Sequence, residues 1–272
     1  MIEIRHKSSG ALLYQTEADT LAYAKLANAN LFEANLAGLD MTGIDLSNAD
    51  VNEADLTGAC LAYANLSGIC LWASALNGVD LRHADLTAAR LWGTKLSGVQ
   101  FSGADFTRAA VKEVDLTGAD LTGTTLIRTD LEGTNLTKAV LTGVDLTEAN
   151  LKRSVLTDTD LRYATLISAD LTRADMQRAK LNQADLTLAN LSETRLAGAD
   201  LKDAILLNTL LTGCLDLHLA HGLEEVGHAG PAALDRRTLQ ACISRLPNAF
   251  LEGVGYSPHE IEVLRTLYQT TC

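Results

Sequence analysis

The sequence predicts an all-β solenoid whose coil has four short sides and about 20 residues, opened by a β-hairpin and followed by a small α-helical region. Three observations predict it. Every fifth residue over residues 21–211 is apolar, 39 positions without an insertion, and 33 of them are Leu. Two residues before each of these central positions the chain is mostly small, with 22 Ala and nine Ser or Thr in 38 units. All 14 glycines of residues 21–213 stand two positions after a central residue.

Residues two apart in an extended segment face the same side, so the small residue and the central Leu point inward together. A continuous helix is excluded, because a step of five would carry the leucines around every face. The unit must turn a corner instead, and Gly at the third position suits the positive φ of a type II turn. Four such sides close a coil, and stacked coils pair their backbones. The corner register predicts that Gly98→Val is more destabilising than Ser97→Val.

Ahead of the coils, "IEIRH" and "ALLYQTEA" flank "KSSG" and read as a hairpin laid on the first coil. Behind them the five-residue pattern stops at Asp216, and all three prolines come after it. "GPAALDRRTLQACISRL" puts Pro231 at a helix start and Leu234, Leu239, Ile243 and Leu246 on one face. "SPHE" forms a capping box from Ser257 to Glu260, with Ile261, Leu264 and Tyr268 lining one side of the helix it begins. The expected boundaries are residues 1–18 for the hairpin, 19–213 for the coils and 214–272 for the helical region.

The A(D/N)LXX register of "ANLFEANLAGLD", "ADLTGAC" and "ADLTRADMQRAKLNQADLTLANL" resembles the pentapeptide-repeat family. The resemblance implies a right-handed quadrilateral β-helix. At 39 units over four sides it would have about ten coils and a length of roughly 47 Å. The tail, from "GLEEVGHAGPAALDRRTL" to "LPNAFLEGVGYSPHEIEVL", is also similar to a segment found after such repeats in bacterial multidomain proteins, before a TIR-type effector.

Composition narrows the function. The net charge of −12 disfavours direct binding of nucleic acid or anionic lipid. No apolar window spans a membrane and the start lacks a signal pattern, which points to the cytoplasm. Five cysteines, Cys272 among them, read as thiols in a reducing compartment. Cys60 and Cys70 fall on opposite sides of one coil and cannot pair. A leucine-filled core leaves no concave site for catalysis, so no enzyme, cofactor or metal site is expected. Cys214, His218, His221 and His228 have zinc-like separations, but no second close pair accompanies them, and His218 with His221 reads as one helical face.

Outward residues 20 apart should stack in columns. Opposite charges alternate in Lys112–Glu132–Lys152, Asp160–Lys180–Asp200, Asp158–Arg178 and Asp175–Arg195, a self-neutralised surface. Residues 26–81 instead hold seven acids and no Lys or Arg. One column there carries Phe32, Asn52, Trp72 and Trp92, with Glu33 and Glu53 one column over. Phe32, Glu33, Glu53, Trp72 and Trp92 are thus the expected protein-binding patch; the alternative is that the aromatics only stabilise neighbouring strands.

Three functions fit: a non-catalytic scaffold or adaptor docking another protein; an acidic DNA mimic acting on type II topoisomerase, which the family resemblance implies; and a sensor or adaptor arm of a bacterial effector, which the resemblance of the tail implies. Residues 21–213 carry 24 acids against 16 bases, a net of −8 that falls far short of the roughly 28 phosphates of a duplex that long, which ranks the scaffold first. The partner would be a protein, with a homodimer through the C-terminal region also open.

Overall fold

The computed structural model describes residues 1–96, 98–227 and 232–269. Ser97, His228, Pro231 and Cys272 lie outside the described residues. The chain divides into two compact units, Met1–Asn135 and Leu136–Cys272.

Both units repeat one local geometry. The central residue's carbonyl accepts the N–H three residues on, as Leu21 does from Ala24 (3.0 Å) and Leu146 from Ala149 (3.0 Å). The third residue of this turn has positive φ in every unit, which with its hydrogen bond makes a type II corner. Coils are joined by parallel single-residue bridges 20 apart, such as Lys25↔Asp45 and Asp160↔Lys180. Extended strand is therefore sparse, because each side of a coil is too short to hold more than one bridge. All 39 central residues are buried.

The Asp/Asn slot has a cause that periodicity does not reveal. At the corner the residue after the central one turns its N–H away from the ladder, and the Asp or Asn two residues earlier accepts it. Thr57 N–H donates to Asp55 Oδ1 (2.9 Å), and Ser192 N–H to Asn190 Oδ1 (3.0 Å). A Ser or Thr hydroxyl often adds a second bond to the same oxygen, as Thr42 does to Asp40 (2.7 Å). That hydroxyl is the main reason the Asp40 carboxyl is held below its usual range. Buried hydroxyls in the small slot are satisfied too: Thr129 donates to Phe106 O and Thr159 to Leu136 O.

Glycine is not what the corner demands. Non-glycine residues such as Lys138, Asp158 and Arg178 adopt φ of 57–59° there, with the ladder imposing the strain. At Gly98 (φ 70°) an added Cβ would find its nearest neighbour, Gly78 N, at 3.9 Å. Gly98→Val should thus cost only about 1–2 kcal/mol, from backbone strain rather than collision. Thermal unfolding beside Gly98→Ala tests this; a collapse of the fold would contradict it.

In the first unit, β1 (Ile2–His6) and β2 (Leu12–Thr16) form an antiparallel hairpin, and β1 also pairs with β3 (Ala34–Asn35). The hairpin thus lies along one side of the first coil. It buries Ile4 and Ala34, while Ala24, Ala29 and Leu39 on other sides stay half-buried. Further along, the ladder opens: no bridge joins Lys95 to Asp115 or Gln100 to Asp120 among the described residues. A cavity of about 460 Å³ lies there, lined by Leu96, Val99 and Leu116 among others. The opening coincides with Phe101 and Phe106, two rings 5.6 Å apart where other coils hold Leu.

In the second unit the ladder continues past residue 213. Asp200↔His221, Ile205↔Gly227 and Leu210↔Ala233 lengthen each side from five residues to six, with Leu217 and Leu223 filling the core. This corrects the expectation of helix from residue 214. Among the described residues there the helical segments are single 3-10 turns, Leu217–Leu219 and Leu223–Glu225, and His221 is a ladder residue rather than a helical neighbour of His218.

Helices come next as α1 (Arg236–Cys242), α2 (Asn248–Gly253) and α3 (Pro258–Gln269). The N-cap of α1 is Asp235, and Leu239, Ile243 and Leu246 are buried while Leu234 is half-buried. In α3 the capping box is formed: Ser257 N–H donates to Glu260 Oε2 (2.7 Å) and Glu260 N–H to Ser257 Oγ (3.3 Å). α2, with Pro247 as its N-cap, gave no periodic signal because its 6 residues are fewer than two turns.

α1 docks by imitating the next coil. Thr238 Oγ1 lies 3.0 Å from Leu211 O just as Cys214 Sγ lies 3.0 Å from Leu191 O one coil earlier. Asp235 accepts from Thr238 N–H (2.9 Å), Thr238 Oγ1 (2.6 Å) and Gly213 N–H (3.0 Å). Desolvation raises the Asp235 pKa, but these bonds outweigh it and leave the carboxyl below its usual range. Asp235→Ala should therefore cost about 1–2 kcal/mol at neutral pH. A depressed carboxyl stabilises above its unfolded pKa and loses that contribution as pH falls through the folded value. Urea melts at pH 7 and pH 3 should show the difference between parent and variant shrinking in acid; an unchanged difference would refute the assignment.

Candidate functional site

The face carrying the two tryptophans is built by a lapse in the Asp/Asn rule. Cys70 and Arg90 occupy the slot that elsewhere accepts the N–H two residues on, and Trp72 and Trp92 are the residues so left. Trp72 N–H turns instead to Asn52 Oδ1 of the preceding coil (2.8 Å). The indole of Trp72 lies over the Gly93 corner, its Nε1 3.8 Å from where a Cβ would stand. Trp72 and Trp92 are 46% and 54% exposed, large values for the largest apolar side chain. With Asn52, Cys70, Arg90, Ala110 and Lys112 they line a shallow concavity of about 350 Å³.

Phe32, Glu33 and Glu53 do not line that concavity and instead meet residues of the hairpin. His6 meets the Phe32 ring edge-on, with centroids 6.5 Å apart. Glu33 accepts from Ser8 Oγ (2.7 Å) through its carboxylate and from Lys7 N–H (2.7 Å) through its carbonyl. The Lys7 ammonium reaches the Glu53 carbonyl. The acidic stretch thus receives a cation from outside it, and Lys25 adds another at 3.7 Å from Asp45. A cation 46 residues away in sequence could not be read from the stretch itself. Arg90, Lys112 and Cys70 were absent from the expected patch, although the 20-residue column rule already places Arg90 two positions before Trp92.

Charge columns join neighbouring coils: Arg178–Asp158 (2.7 Å), Arg195–Asp175 (2.8 Å), Arg173–Glu193 (2.9 Å) and Lys112–Glu132 (3.3 Å). Asp160 instead takes Arg162 on its own coil (2.7 Å), which is nearer than Lys180 and forks onto both oxygens.

Near the C-terminal helices His218 contacts Cys242 rather than Cys214: Nδ1 lies 3.2 Å from Cys242 Sγ, and Arg245 sits 2.7 Å from Nε2. Arginine can only donate, so Nε2 accepts and Nδ1 carries the proton. Desolvation, with Arg245 adding to it, lowers the His218 pKa. Burial pushes the Cys214 thiol up to about 12, so it is no nucleophile. No group of three His, Cys, Asp or Glu among the described residues is placed to hold a metal ion. No helix among them is long and apolar enough to cross a membrane.

Eight copies of the pentapeptide-repeat model match residues 20–48, 34–72, 74–110, 115–153, 139–178, 149–187, 169–207 and 179–215. Among solved structures, HetL, a pentapeptide repeat protein involved in heterocyst differentiation regulation in the cyanobacterium Nostoc, is 29% identical. That alignment covers 78% of this chain and 92% of HetL, with a TM-score of 0.45. QnrB1, a plasmid-mediated fluoroquinolone resistance protein, is 16% identical over 82% of this chain and 96% of its own, with a TM-score of 0.33. Rfr23 from the cyanobacterium Cyanothece is 24% identical over 47% of this chain and 88% of its own, with a TM-score of 0.18. No curated protein matches. The repeat matches span well over half of the sequence, and they agree with the β-solenoid of corners and parallel bridges: this chain belongs to the pentapeptide-repeat family.

Proposed function

We propose that the chain is a non-catalytic scaffold that docks another protein on the Trp72/Trp92 face. The observation that carries this reading is the pair of half-exposed indoles that wall one concavity, which none of the more exposed tyrosines, Tyr23, Tyr63 and Tyr163, lines. Exposed tryptophan is costly to leave in water and is the residue type most enriched at interface hot spots. In this reading the winding is right-handed and four-sided, as the family resemblance implies, and the hairpin and C-terminal helices cover the ends of the core. The acidic-mimic reading fits less well, because Lys7 and Lys25 sit among the acids it needs.

Trp72→Ala with Trp92→Ala should leave the fold intact and cost about 2–4 kcal/mol of partner binding, a thirtyfold loss or more. Affinity capture from cell extract with parent and variant, with titration of the captured protein afterwards, measures it. Binding that survives the double variant but falls steeply with salt and with Glu53→Lys would favour the mimic over the scaffold.

A further inference from the structure

We infer that the Trp72/Trp92 concavity receives a short acidic segment of a protein, with a carboxylate on Arg90 and an apolar side chain against the indoles. This rests on the docking reading above and specifies the chemistry of the partner.

Arg82, Arg162, Arg173, Arg178 and Arg195 each meet a carboxylate within 2.6–2.9 Å. Lys112 is held by Asp130 (2.7 Å) and Glu132 (3.3 Å). Arg90 is exposed, and among the described residues its side chain makes one hydrogen bond, to the Cys70 thiol, Nη1 to Sγ 3.6 Å. Arg108, at the corner of the next coil, likewise meets no carboxylate among the described residues. In a chain of net charge −12, a guanidinium left without an anion beside two exposed indoles is an unusual concentration of unused binding capacity. A guanidinium offers paired donors that match a carboxylate's two oxygens.

The bridges fix the size of the anion. Asp50, Cys70, Arg90, Ala110 and Asp130 form one continuous column. Arg90 therefore has a carboxylate two coils to either side, about 10 Å away at the usual strand spacing. One carboxylate, or two close together, fits between those acids. A polyphosphate strand would run onto Asp50 in one direction and Asp130 with Glu132 in the other. The concavity, about 350 Å³, is small, and the indoles form much of its wall. That combination selects a brief acidic and apolar peptide over a nucleic acid.

Both tryptophans of the chain lie in this site, so tryptophan fluorescence reports on nothing else. Iodide and caesium quenching at equal ionic strength, each normalised to its quenching of free N-acetyltryptophanamide, reads the local field: normalised iodide quenching should exceed that by caesium about twofold despite the net negative charge. Arg90→Gln should abolish or reverse that preference. Caesium quenching better in the parent protein overturns the inference.

Binding is read with three capped hexapeptides, alternating Leu with Glu, Gln or Lys, and with a thymidine hexanucleotide. The Glu peptide should bind at least roughly tenfold more tightly than the Gln peptide, and Arg90→Gln should erase that difference while leaving the Gln peptide's affinity unchanged. Equal affinity of the Glu and Gln peptides overturns the acidic partner but leaves docking on the indoles standing. Tighter binding of the hexanucleotide overturns it in favour of a nucleic acid. No response to any peptide at millimolar concentration also overturns it, and the double tryptophan variant then judges the docking reading separately. Thermal melts of Arg90→Gln, an exposed position, verify that the variant folds.

Discussion

Leu126→Asp is expected to abolish the native state. Leu126 is a central residue, 2% exposed, with Phe106 one coil before it in the same core column. Truncating a buried Leu to Ala alone costs about 2–5 kcal/mol through lost transfer energy and the cavity left behind. Aspartate adds a carboxylate with no donor in reach, because its neighbours Leu121 and Leu131 are apolar and Thr129 already donates to Phe106 O. The group must either ionise in a dry interior or stay protonated with its polar atoms unsatisfied, several kcal/mol more in either case. That sum rivals the whole stability of an ordinary domain, about 5–15 kcal/mol. The same charge at exposed Ser102, as Ser102→Asp, should be nearly silent. Circular dichroism and thermal melts of the two variants decide the matter; a Leu126→Asp protein melting near its parent would mean that this residue does not face the core.

Gly222→Ala is expected to be the most damaging of the glycine substitutions. Most corner glycines have room for a Cβ or face only the tip of a movable side chain, as Gly43 faces the Tyr23 ring. At Gly222 (φ 72°) the Cβ would stand 2.6 Å from Lys202 N and 2.7 Å from Lys202 Cα. Those are backbone atoms of a coil locked into the ladder, where Leu201 N–H donates to His221 O (2.9 Å). Neither side can give without breaking the last parallel bridges. The left-handed φ contributes about 1 kcal/mol and the collision a further ~1–3 kcal/mol. Hydrogen exchange should show loss of protection concentrated around residues 199–227. Equal midpoints for Gly222→Ala and Gly98→Ala would rule this out.

Much of the fold was legible because its period is local. A residue that recurs every five positions can only be buried if the chain turns after each, so Leu136, Leu141 and Leu146 fix the corner, the coil and the inward face together. Capping boxes are equally local: Ser257 and Glu260 bond within three residues, and the sequence places both.

What escaped the sequence lies at the ends and on the surface, where partners are distant along the chain. Sequence periodicity ends at Asp216, yet the backbone ladder runs on to Ala233, because main-chain groups keep pairing when sides grow to six residues and the side-chain period is lost. The Asp/Asn slot was visible as a regularity, but its cause, an N–H turned out of the ladder at each corner, needed the backbone. For the candidate site, the sequence by itself put Trp72 and Trp92 on one outward column. Only the tertiary structure decided that Phe32, Glu33 and Glu53 meet residues of the hairpin rather than the indoles, and that Arg90 joins the indoles without an anion of its own. The physical reason is the range of the interaction: a repeating backbone imposes its pattern every few residues, whereas which charges meet is settled by side chains brought together from anywhere along the chain.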